Sequence, residues 1–248
     1  MKSIHLALAA LIATASLLSA QAHWAVDHKT SLAWWQVDPH YEHLWATTCP
    51  ADTSWQPGEG RDAGLYTNYA TRPKTVAAGR PDARIPLFPR HNVQPLCRYA
   101  VRGEVTAPDT LRWRGVRGTI TVIADSLFTG LSFRDAYGRR AVLQTGTYPE
   151  IKFTIDSLTE IRTSGPGDTL RAVAVGTLEL HGVQHPMRAP VLAWHDPAGF
   201  RVKGQFSFPA LALTDEFKMS RAALAMGVGS RRWNTVHMGI DVILRRTE

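Results

Sequence analysis

The sequence has only two cysteines among 248 residues, little helical pattern, and no block of five or more like charges. Nucleic-acid binding proteins typically carry such a basic block, or a basic stripe interleaved with aromatic residues, so its absence argues against a nucleic-acid partner. The net formal charge of +7 comes mostly from arginines spread along the chain. Dispersed positive charge of this size suits an anionic membrane surface or an anionic headgroup.

Motifs of hydrolytic catalysis are absent as well. Residues 227–230 read Gly-Val-Gly-Ser rather than the G-x-S-x-G nucleophile elbow. Ser126 follows a predicted strand and has no evident histidine partner in the sequence. Neither the H-E-x-x-H zinc motif nor a glycine-rich phosphate loop occurs. The sequence therefore predicts a protein that is not an enzyme and that requires no cofactor.

Residues 1–22 have the pattern of a cleaved signal peptide. A single lysine precedes an apolar run at residues 4–18, and Ala-Gln-Ala at 20–22 is the small-x-small pattern that signal peptidase accepts. The run is shorter than the roughly 20 residues of a membrane-spanning helix, and no cysteine follows it as a lipid attachment site. We therefore expect cleavage after Ala22, a periplasmic or secreted location, and a single domain over residues 23–248.

An insertion over about residues 42–97 differs from the rest of the chain. It holds seven of the 15 prolines and shows no sustained helical or strand period. Loops of this length are uncommon inside a domain and are usually functional or poorly ordered. Cys49 and Cys97 bracket it, and an even number of cysteines in an exported chain favours one disulfide. We expect an insertion closed at its base, serving as a lid or as a docking surface for a membrane or a protein partner.

After residue 99, short alternating segments are separated by Gly, Pro and Asp turns. Ile151, Phe153 and Ile155 lie on one side of a predicted strand. The last predicted strand alternates in the same way, with Met238, Ile240, Val242 and Leu244 on one side. This pattern predicts an antiparallel sandwich or barrel. The interior of an eight-stranded barrel is either filled by side chains or holds one small ligand, and alternation does not distinguish these cases. A single short helix is predicted from Thr214 as N-cap to Gly227 as stop.

Several segments, in order, resemble the YceI-like family. They are W-x-V-D at 24–27 with SLAWWQVDPH, RGTITVIADSLFTG with the following Arg134-Asp135, YPEIKF at 148–153, and VGTLELHGVQHPM, which is similar to the family's Gly-x-Leu-x-Leu-His-Gly-Val segment. The resemblance covers the chain from about residue 115 to its end and the first strand, and the insertion departs from it. It implies an all-β, eight-stranded antiparallel lipocalin-like barrel that holds a long isoprenoid chain, such as a polyprenyl or quinone tail, without catalysis.

The candidate ligand-binding residues follow from this resemblance and from the residue types. Phenylalanines are expected to line or cap the lumen, although plain packing explains each of them equally well. An arginine at the barrel mouth can hydrogen-bond a headgroup oxygen, and the Arg-Asp pair can equally cap a turn or bridge to a neighbouring strand. The histidine of the Leu-His-Gly segment is included because the resemblance covers it, but a strand-end hydrogen bond also explains it. The candidates are Phe128, Phe133, Arg134, Asp135, Phe153, His181, Phe206 and Phe208.

Two alternative functions remain open on the sequence. His40 and His43 lie three residues apart and His91 lies at the far end of the insertion, so a folded-back insertion can present a zinc or copper site; surface or turn histidines are the simpler interpretation. The insertion is also rich in aromatic and arginine residues, which are enriched at protein interfaces, so the chain can be an interaction module. Nothing in the sequence indicates an oligomeric state.

Overall fold

The computed structural model describes residues 21–39, 44–48, 100–108, 113–127, 132–163, 169–221, 224 and 233–247. Ten β-strands and a few short helical segments make up the described chain. The strands are β1 Ala22–Val26, β2 Leu32–Pro39, β3 Leu44–Thr47, β4 Val101–Ala107, β5 Arg117–Ile123, β6 Glu150–Arg162, β7 Leu170–Leu180, β8 Val183–Asp196, β9 Gly199–Pro209 and β10 Trp233–Thr247. The helical segments are a 3-10 turn Ala124–Ser126, α1 Ser132–Tyr137 with a following π turn Gly138–Val142, and α2 Ala212–Asp215.

All strand pairs are antiparallel, and the pairing of β1 with β10 closes the sheet into a barrel. β4 to β10 follow one another around the wall in chain order. β1 and β2 both pair with β10, at opposite halves of its length, and therefore occupy one strand position. β3 and β4 pair with β2 and β1 respectively and share the next position. The barrel thus has eight strand positions, which confirms the predicted eight-stranded antiparallel fold.

The loop between β1 and β2 is attached to β10 by one hydrogen bond at each of its ends. The backbone N–H of Asp27 donates to the carbonyl of Ile243 at 2.7 Å, and the N–H of Ile243 donates to Oγ of Ser31 at 3.1 Å. Ser31 is buried. A buried backbone N–H needs a hydrogen-bond acceptor, and the loop places no strand carbonyl opposite the N–H of Ile243. The Ser31 hydroxyl takes the place of that carbonyl.

Leu44–Thr47, inside the bounds expected for the insertion, form β3 and pair with β2, so the insertion leaves the wall only after β3 and returns at β4. The N–H of Thr48 donates to the carbonyl of Ala33 at 2.8 Å, and Oγ1 of Thr48 accepts from the N–H of Ala33 at 3.0 Å. The carbonyl of Ala100 accepts from the N–H of Ile123 at 2.8 Å. The two ends of the insertion are therefore held in the barrel wall. Residues 49–99, and with them Cys49, Cys97 and the predicted disulfide, lie outside the described residues.

The predicted helix is present but much shorter than expected. Thr214 is not its N-cap, since it lies inside α2 and donates through its hydroxyl to the carbonyl of Leu211 at 2.9 Å. The helix ends at Asp215, and Lys218 adopts a left-handed backbone with φ of 57°. Left-handed residues terminate helices, so the chain turns here, and the predicted boundary at Gly227 is wrong. α1, which contains the Arg134-Asp135 pair, was not expected from the pattern.

Two groups of buried apolar residues fill opposite ends of the barrel. One contains Phe208, Phe217 and the α2 region, and the other contains Val101, Val105 and Val242. Inward side chains of both groups approach a space at mid-barrel. Within the described residues, no helix is long and apolar enough to cross a membrane.

Candidate functional site

A cavity of about 160 Å³ lies in the barrel lumen. Strands from nearly every position contribute apolar side chains to it, and among the described lining residues Lys152 is the one that carries a charge. Representative lining residues are Val105, Ile120, Phe153, Leu178, Phe206 and Ile240. The alternation of inward apolar and outward polar residues along each strand produces this lining.

The lumen is hollow because one side of its wall carries small residues. Ala174 of β7 lies directly opposite Ala189 of β8, and Gly204 of β9 lies opposite Val191. All four line the cavity. Bulky residues such as Phe153 and Ile120 project from the β5 and β6 side. Alanine and glycine do not reach the opposite wall, so the side chains of the two walls leave a space between them.

A β-bulge keeps β6 in phase with the lumen. Ile155 pairs with Gly176 while Ser157 pairs with the adjacent Val175, so Asp156 is the extra residue. A bulge shifts the side-chain alternation by one residue. For this reason Ile155 and Leu158, which lie three residues apart, both line the cavity. Simple alternation in the sequence does not predict this change of phase.

The α2 region closes one end of the lumen. Phe217 has no exposed surface, and its ring lies 5.7 Å from that of Phe208. Phe208 in turn stacks on Phe206 with centroids 6.2 Å apart, and Phe206 lies 6.2 Å from Phe153. This row of phenylalanines connects the cavity to the closed end of the barrel.

Three aromatic residues gather near the opposite end. Phe200 packs edge-on against Trp24 at 4.9 Å and against Trp113 at 5.2 Å between ring centroids. Trp113 also lines the cavity and has a left-handed backbone with φ of 55°. Edge-to-face packing of this kind adds about 0.5–1.5 kcal/mol per pair beyond area burial. The barrel is therefore firmly packed at this end.

The predicted phenylalanines occupy different places. Phe153 and Phe206 line the cavity, and Phe208 lies beside Phe206 in the cluster that closes the α2 end. Phe128 and the side chain of Phe133 lie outside the described residues. Phe153 and Phe206 thus lie where a ligand in the cavity would contact them. Phe208 lies behind Phe206 and supports its position.

Neither Asp135 nor His181 lines the cavity. Asp135 is 3% exposed on α1, and the side chain of Arg134 is outside the described residues. A neighbouring arginine, Arg139, donates from Nε to the carbonyl of Asp125 at 3.0 Å. Its Nε also lies 3.4 Å from the Asp125 carboxylate. Arg139, which the sequence analysis did not single out, therefore links the segment after β5 to the π turn that follows α1.

His181 lies in the two-residue turn that joins β7 to β8. Leu180 pairs with Val183, and both turn residues have left-handed backbones, with φ of 53° at His181 and 73° at Gly182. A type I′ hairpin requires positive φ at both positions, which glycine adopts without strain. A side chain at Gly182 would overlap the ring of Tyr148, which packs against His181 in a tilted arrangement with ring centroids 4.1 Å apart.

The environment of His181 favours its neutral form. The residue is 8% exposed, and burial lowers the pKa of His181, while a hydrogen bond to the backbone of Phe217 opposes this effect. Its Nε2 is buried and has no hydrogen-bond partner among the described residues. His181 thus packs against Tyr148 and does not line the cavity.

The metal hypothesis rests on His40, His43 and His91, all of which lie outside the described residues. Within the part of the chain that the structure describes, no group of three or more His, Cys, Asp or Glu side chains is placed to hold a metal ion.

Sequence reasoning missed the small residues that create the cavity. The segment LRAVAVGTLEL alternates, and its even-numbered residues from Leu170 to Leu180 are buried toward the lumen. Counting side-chain size along that face would have shown Ala172, Ala174 and Gly176 in succession. The missing information was which strand faces them, since a small residue leaves a space only where its neighbours do not fill it.

A closed antiparallel barrel with an apolar cavity is a lipocalin-like architecture. The model of the YceI-like domain matches residues 98–243, more than half of the chain. The chain belongs to the YceI-like family, as the resemblance predicted. No curated protein matches the sequence.

Solved structures share the fold at low identity. BcnA of Burkholderia cenocepacia superposes with a TM-score of 0.54 and 10% identity, covering 88% of this chain and 98% of its own. A polyisoprenoid binding domain from Saccharophagus degradans, described as implicated in plant cell wall breakdown, gives 0.52 and 12%, covering 90% and 98%. These likenesses establish the shared fold.

Proposed function

We propose that this chain is an exported protein that binds one isoprenoid-type chain, a polyprenyl or quinone tail, in the barrel lumen. The observation that carries the proposal is the cavity of about 160 Å³ with its apolar lining. Its role is carriage or sequestration of the lipid rather than turnover. The signal-peptide pattern of residues 1–22 supports the export part of this proposal.

Burial of hydrocarbon supplies the binding energy. Each CH₂ group removed from water contributes about 0.8 kcal/mol. A lumen lined by Ile, Val, Leu and Phe needs no charged contact for this, because the interaction is not directional. Selectivity then comes from the shape of the space, and the ligand headgroup remains outside the apolar lining.

The cavity size sets a condition on binding. A cavity of about 150 Å³ accommodates a benzene-sized molecule, whereas pockets for larger ligands span about 300–1,000 Å³. A long tail therefore requires side chains to move. Met238 lines the cavity, and methionine is unbranched and adapts readily to new packing. We expect Met238, Phe206 and Trp35 to change rotamer when a tail enters.

Two comparisons support this function. The chain belongs to the YceI-like family, and a solved structure with the same fold is described as a polyisoprenoid binding domain. Because that relative is only 12% identical, the support for ligand class comes from the joint presence of its fold and an apolar lumen in this chain.

Organic extraction of the purified full chain, produced with its signal peptide in a bacterial host, followed by mass spectrometry tests the proposal. The expected result is a polyprenyl or isoprenoid quinone species at a substantial fraction of one molecule per barrel. Repeated recovery of no long-chain lipid, together with failure to bind added polyprenyl phosphate or ubiquinone, would refute it.

A further inference from the structure

A row of outward side chains crosses four strands of the barrel wall and is buried. Leu192 of β8 pairs with Lys203 of β9, Lys203 with Asp241 of β10, and Asp241 with Leu32 of β2. We call these four residues the covered row. Each is adjacent in its strand to a residue that lines the cavity, so by alternation its side chain points away from the lumen. In the order given, the four residues are nonetheless only 5%, 6%, 4% and 2% exposed.

The next strands along the wall show how an outer face in contact with water differs. The row continues from Leu192 to Arg171 of β7 and from there to Arg162 of β6, and both arginines are exposed. The side chains of Arg188 and Glu160 form an ion pair at 2.7 Å, yet they are 57% and 58% exposed. An outward position in this wall, even within an ion pair, therefore does not bury a side chain. The burial begins at β8.

Contacts within the covered row explain its charges but not the exclusion of water. Nζ of Lys203 lies 3.8 Å from Oδ2 of Asp241 and 5.5 Å from the centroid of the Trp194 ring. Gln205, the next outward residue of β9, has a buried Oε1 that accepts no hydrogen bond from the residues that the structure describes. Water would pair with such an oxygen on an open surface, and burial without a partner costs free energy. A further layer of protein therefore lies over this side of the wall.

The insertion leaves the barrel at one end of the covered row. Thr48, the last described residue before it, is fully buried and is bonded in both directions to Ala33, the neighbour of Leu32. Three strand spacings of about 4.8 Å separate β2 from β8, so the row is roughly 15 Å long. A segment of about 50 residues can extend to roughly 150 Å. The insertion therefore begins beside Leu32 and is long enough to reach Leu192.

The composition of the insertion suits a layer laid against a finished wall. The backbone groups of the wall are occupied in the strand ladders, so a covering segment has few of them to pair with. Proline lacks the N–H donor that such a segment would otherwise leave unsatisfied, and the insertion is rich in proline. Residues 85–89 read Ile-Pro-Leu-Phe-Pro, and Trp55 adds a large aromatic ring. These side chains can bury apolar surface against Leu32 and Leu192.

We propose that the insertion, residues 49–99, packs on the covered row and forms a second layer on the β2–β10–β9–β8 side of the barrel. The occupant of this face is a segment of the same chain, rather than a membrane, a second copy or another protein. The layer isolates the Lys203–Asp241 pair and the two leucines from water. The insertion thus lies along the side of the wall.

Amine labelling of the full chain with an acetylating ester, followed by peptide mass spectrometry, tests the burial. Lys152 is the matched reference for Lys203, because each is an outward lysine beside a carboxylate. Nζ of Lys152 lies 2.8 Å from Oε2 of Glu150, and its side chain is 37% exposed. We expect Lys203 to be acetylated many-fold more slowly than Lys152. Equal rates would show that the face is open and would overturn the proposal.

Photo-crosslinking identifies the occupant. Trp194→p-benzoylphenylalanine places an aromatic probe of similar size at the partly buried edge of the covered row, and Val175→p-benzoylphenylalanine is the control on the outer side of β7. The full chain is irradiated as a mixture of isotope-labelled and unlabelled protein, so that links within one chain and between chains have different masses. Circular dichroism checks that both variants are folded.

We expect the probe at position 194 to link to residues 49–99 of the same chain, with a yield several-fold above that from position 175. Links between two chains would identify a second copy as the occupant and overturn the proposal. Links confined to other segments, or equal yields from the two positions, overturn it as well. If the probe variants do not fold, the labelling rates of the unmodified chain decide the question. Neither measurement depends on lipid, so the proposed function is tested separately.

Discussion

Arg201 and Asp241 form a two-point ion pair across β9 and β10. Nε and Nη2 of the arginine lie 2.7 Å from Oδ1 and Oδ2 of the aspartate. Nζ of Lys203 lies 3.8 Å from Oδ2. Val202 and Val242, the sequence neighbours of these residues, line the cavity, so the pair lies on the outer side of the wall. Asp241 and Lys203 are nonetheless only 4% and 6% exposed.

Asp241→Ala should destabilise the protein strongly. The substitution removes one member of a buried pair and leaves two cationic side chains without that partner, which typically costs about 3–5 kcal/mol. Urea unfolding followed by tryptophan fluorescence measures the change. Glu160→Gln is the matched control, since Glu160 and Arg188 form an exposed pair at 2.7 Å that should contribute less than about 1 kcal/mol. If both variants lose the same free energy of unfolding, the Arg201–Asp241 pair stabilises the protein no more than an exposed ion pair does, and the prediction is wrong.

Gly239→Ala should destabilise the β2–β10 pairing. Gly239 lies opposite Trp34, and a methyl group at Gly239 would overlap the indole ring. Overpacking of this kind typically costs about 1–3 kcal/mol. The control is Gly146→Ala, because a methyl group there meets nothing within 4 Å. Thermal unfolding of both variants checks the prediction, which fails if Gly239→Ala unfolds at the wild-type temperature.

Ala189→Leu should reduce the amount of lipid bound. The added isopropyl group projects into the lumen next to Ala174 and occupies part of a cavity of only about 160 Å³. We expect lipid content per barrel, measured by extraction and mass spectrometry, to fall several-fold. Thr177→Leu, at an outward position of β7, should retain wild-type content. If both variants carry the wild-type amount, the lumen is not where the lipid binds.

Asp27 should contribute to stability in a pH-dependent way. Burial raises its pKa, but the backbone N–H of Lys29 and the guanidinium of Arg245, which donate to its carboxylate, together lower the pKa below the usual value. The folded state therefore binds fewer protons than the unfolded state, so stability is present above pH 4 or so and is lost as the pH falls further. Thermal unfolding between pH 6 and 3 should show a smaller acid-induced decrease in Asp27→Asn than in the wild type. If the unfolding temperatures of the two proteins fall equally with pH, Asp27 is not a source of the acid-induced loss of stability.

Thiol titration tests the predicted link between Cys49 and Cys97. In denaturant without reductant we expect no free thiol, and with reductant two per chain. A closed loop of this length should stabilise the protein by about 4 kcal/mol on the chain-entropy model. Two reactive thiols in protein isolated from an oxidising compartment would show that the insertion is not closed in this way.

Much of the fold was predictable because apolar and polar residues alternate along the strands. Met238, Ile240, Val242 and Leu244 were expected on one face of the last strand, and all four line the cavity. The short α2 helix was placed too far along the chain, since Lys218 turns the backbone where the residue pattern still reads as helical. Helix propensity depends on the local residues alone, so it does not predict a turn that is stabilised by the packing of Phe217 in the core.

The candidate site was predictable only in part. Phe153 and Phe206 were expected near a ligand and line the cavity, whereas His181 lies in the β7–β8 turn and packs against Tyr148. The role of a polar side chain at a hairpin depends on which distant segment packs over it. That contact joins residues more than thirty positions apart, and no local pattern indicates it.

The sequence by itself determined the class of fold. The alternation of apolar and polar residues along each strand sets which side chains face inward, and the turn residues and the ordered family-like segments indicate the same barrel. The tertiary structure alone decided that the lumen is hollow and where it closes. Whether inward side chains meet depends on which small residues face each other around the wall, as Ala174 and Ala189 do, and strand pairing sets that arrangement only after the barrel has closed.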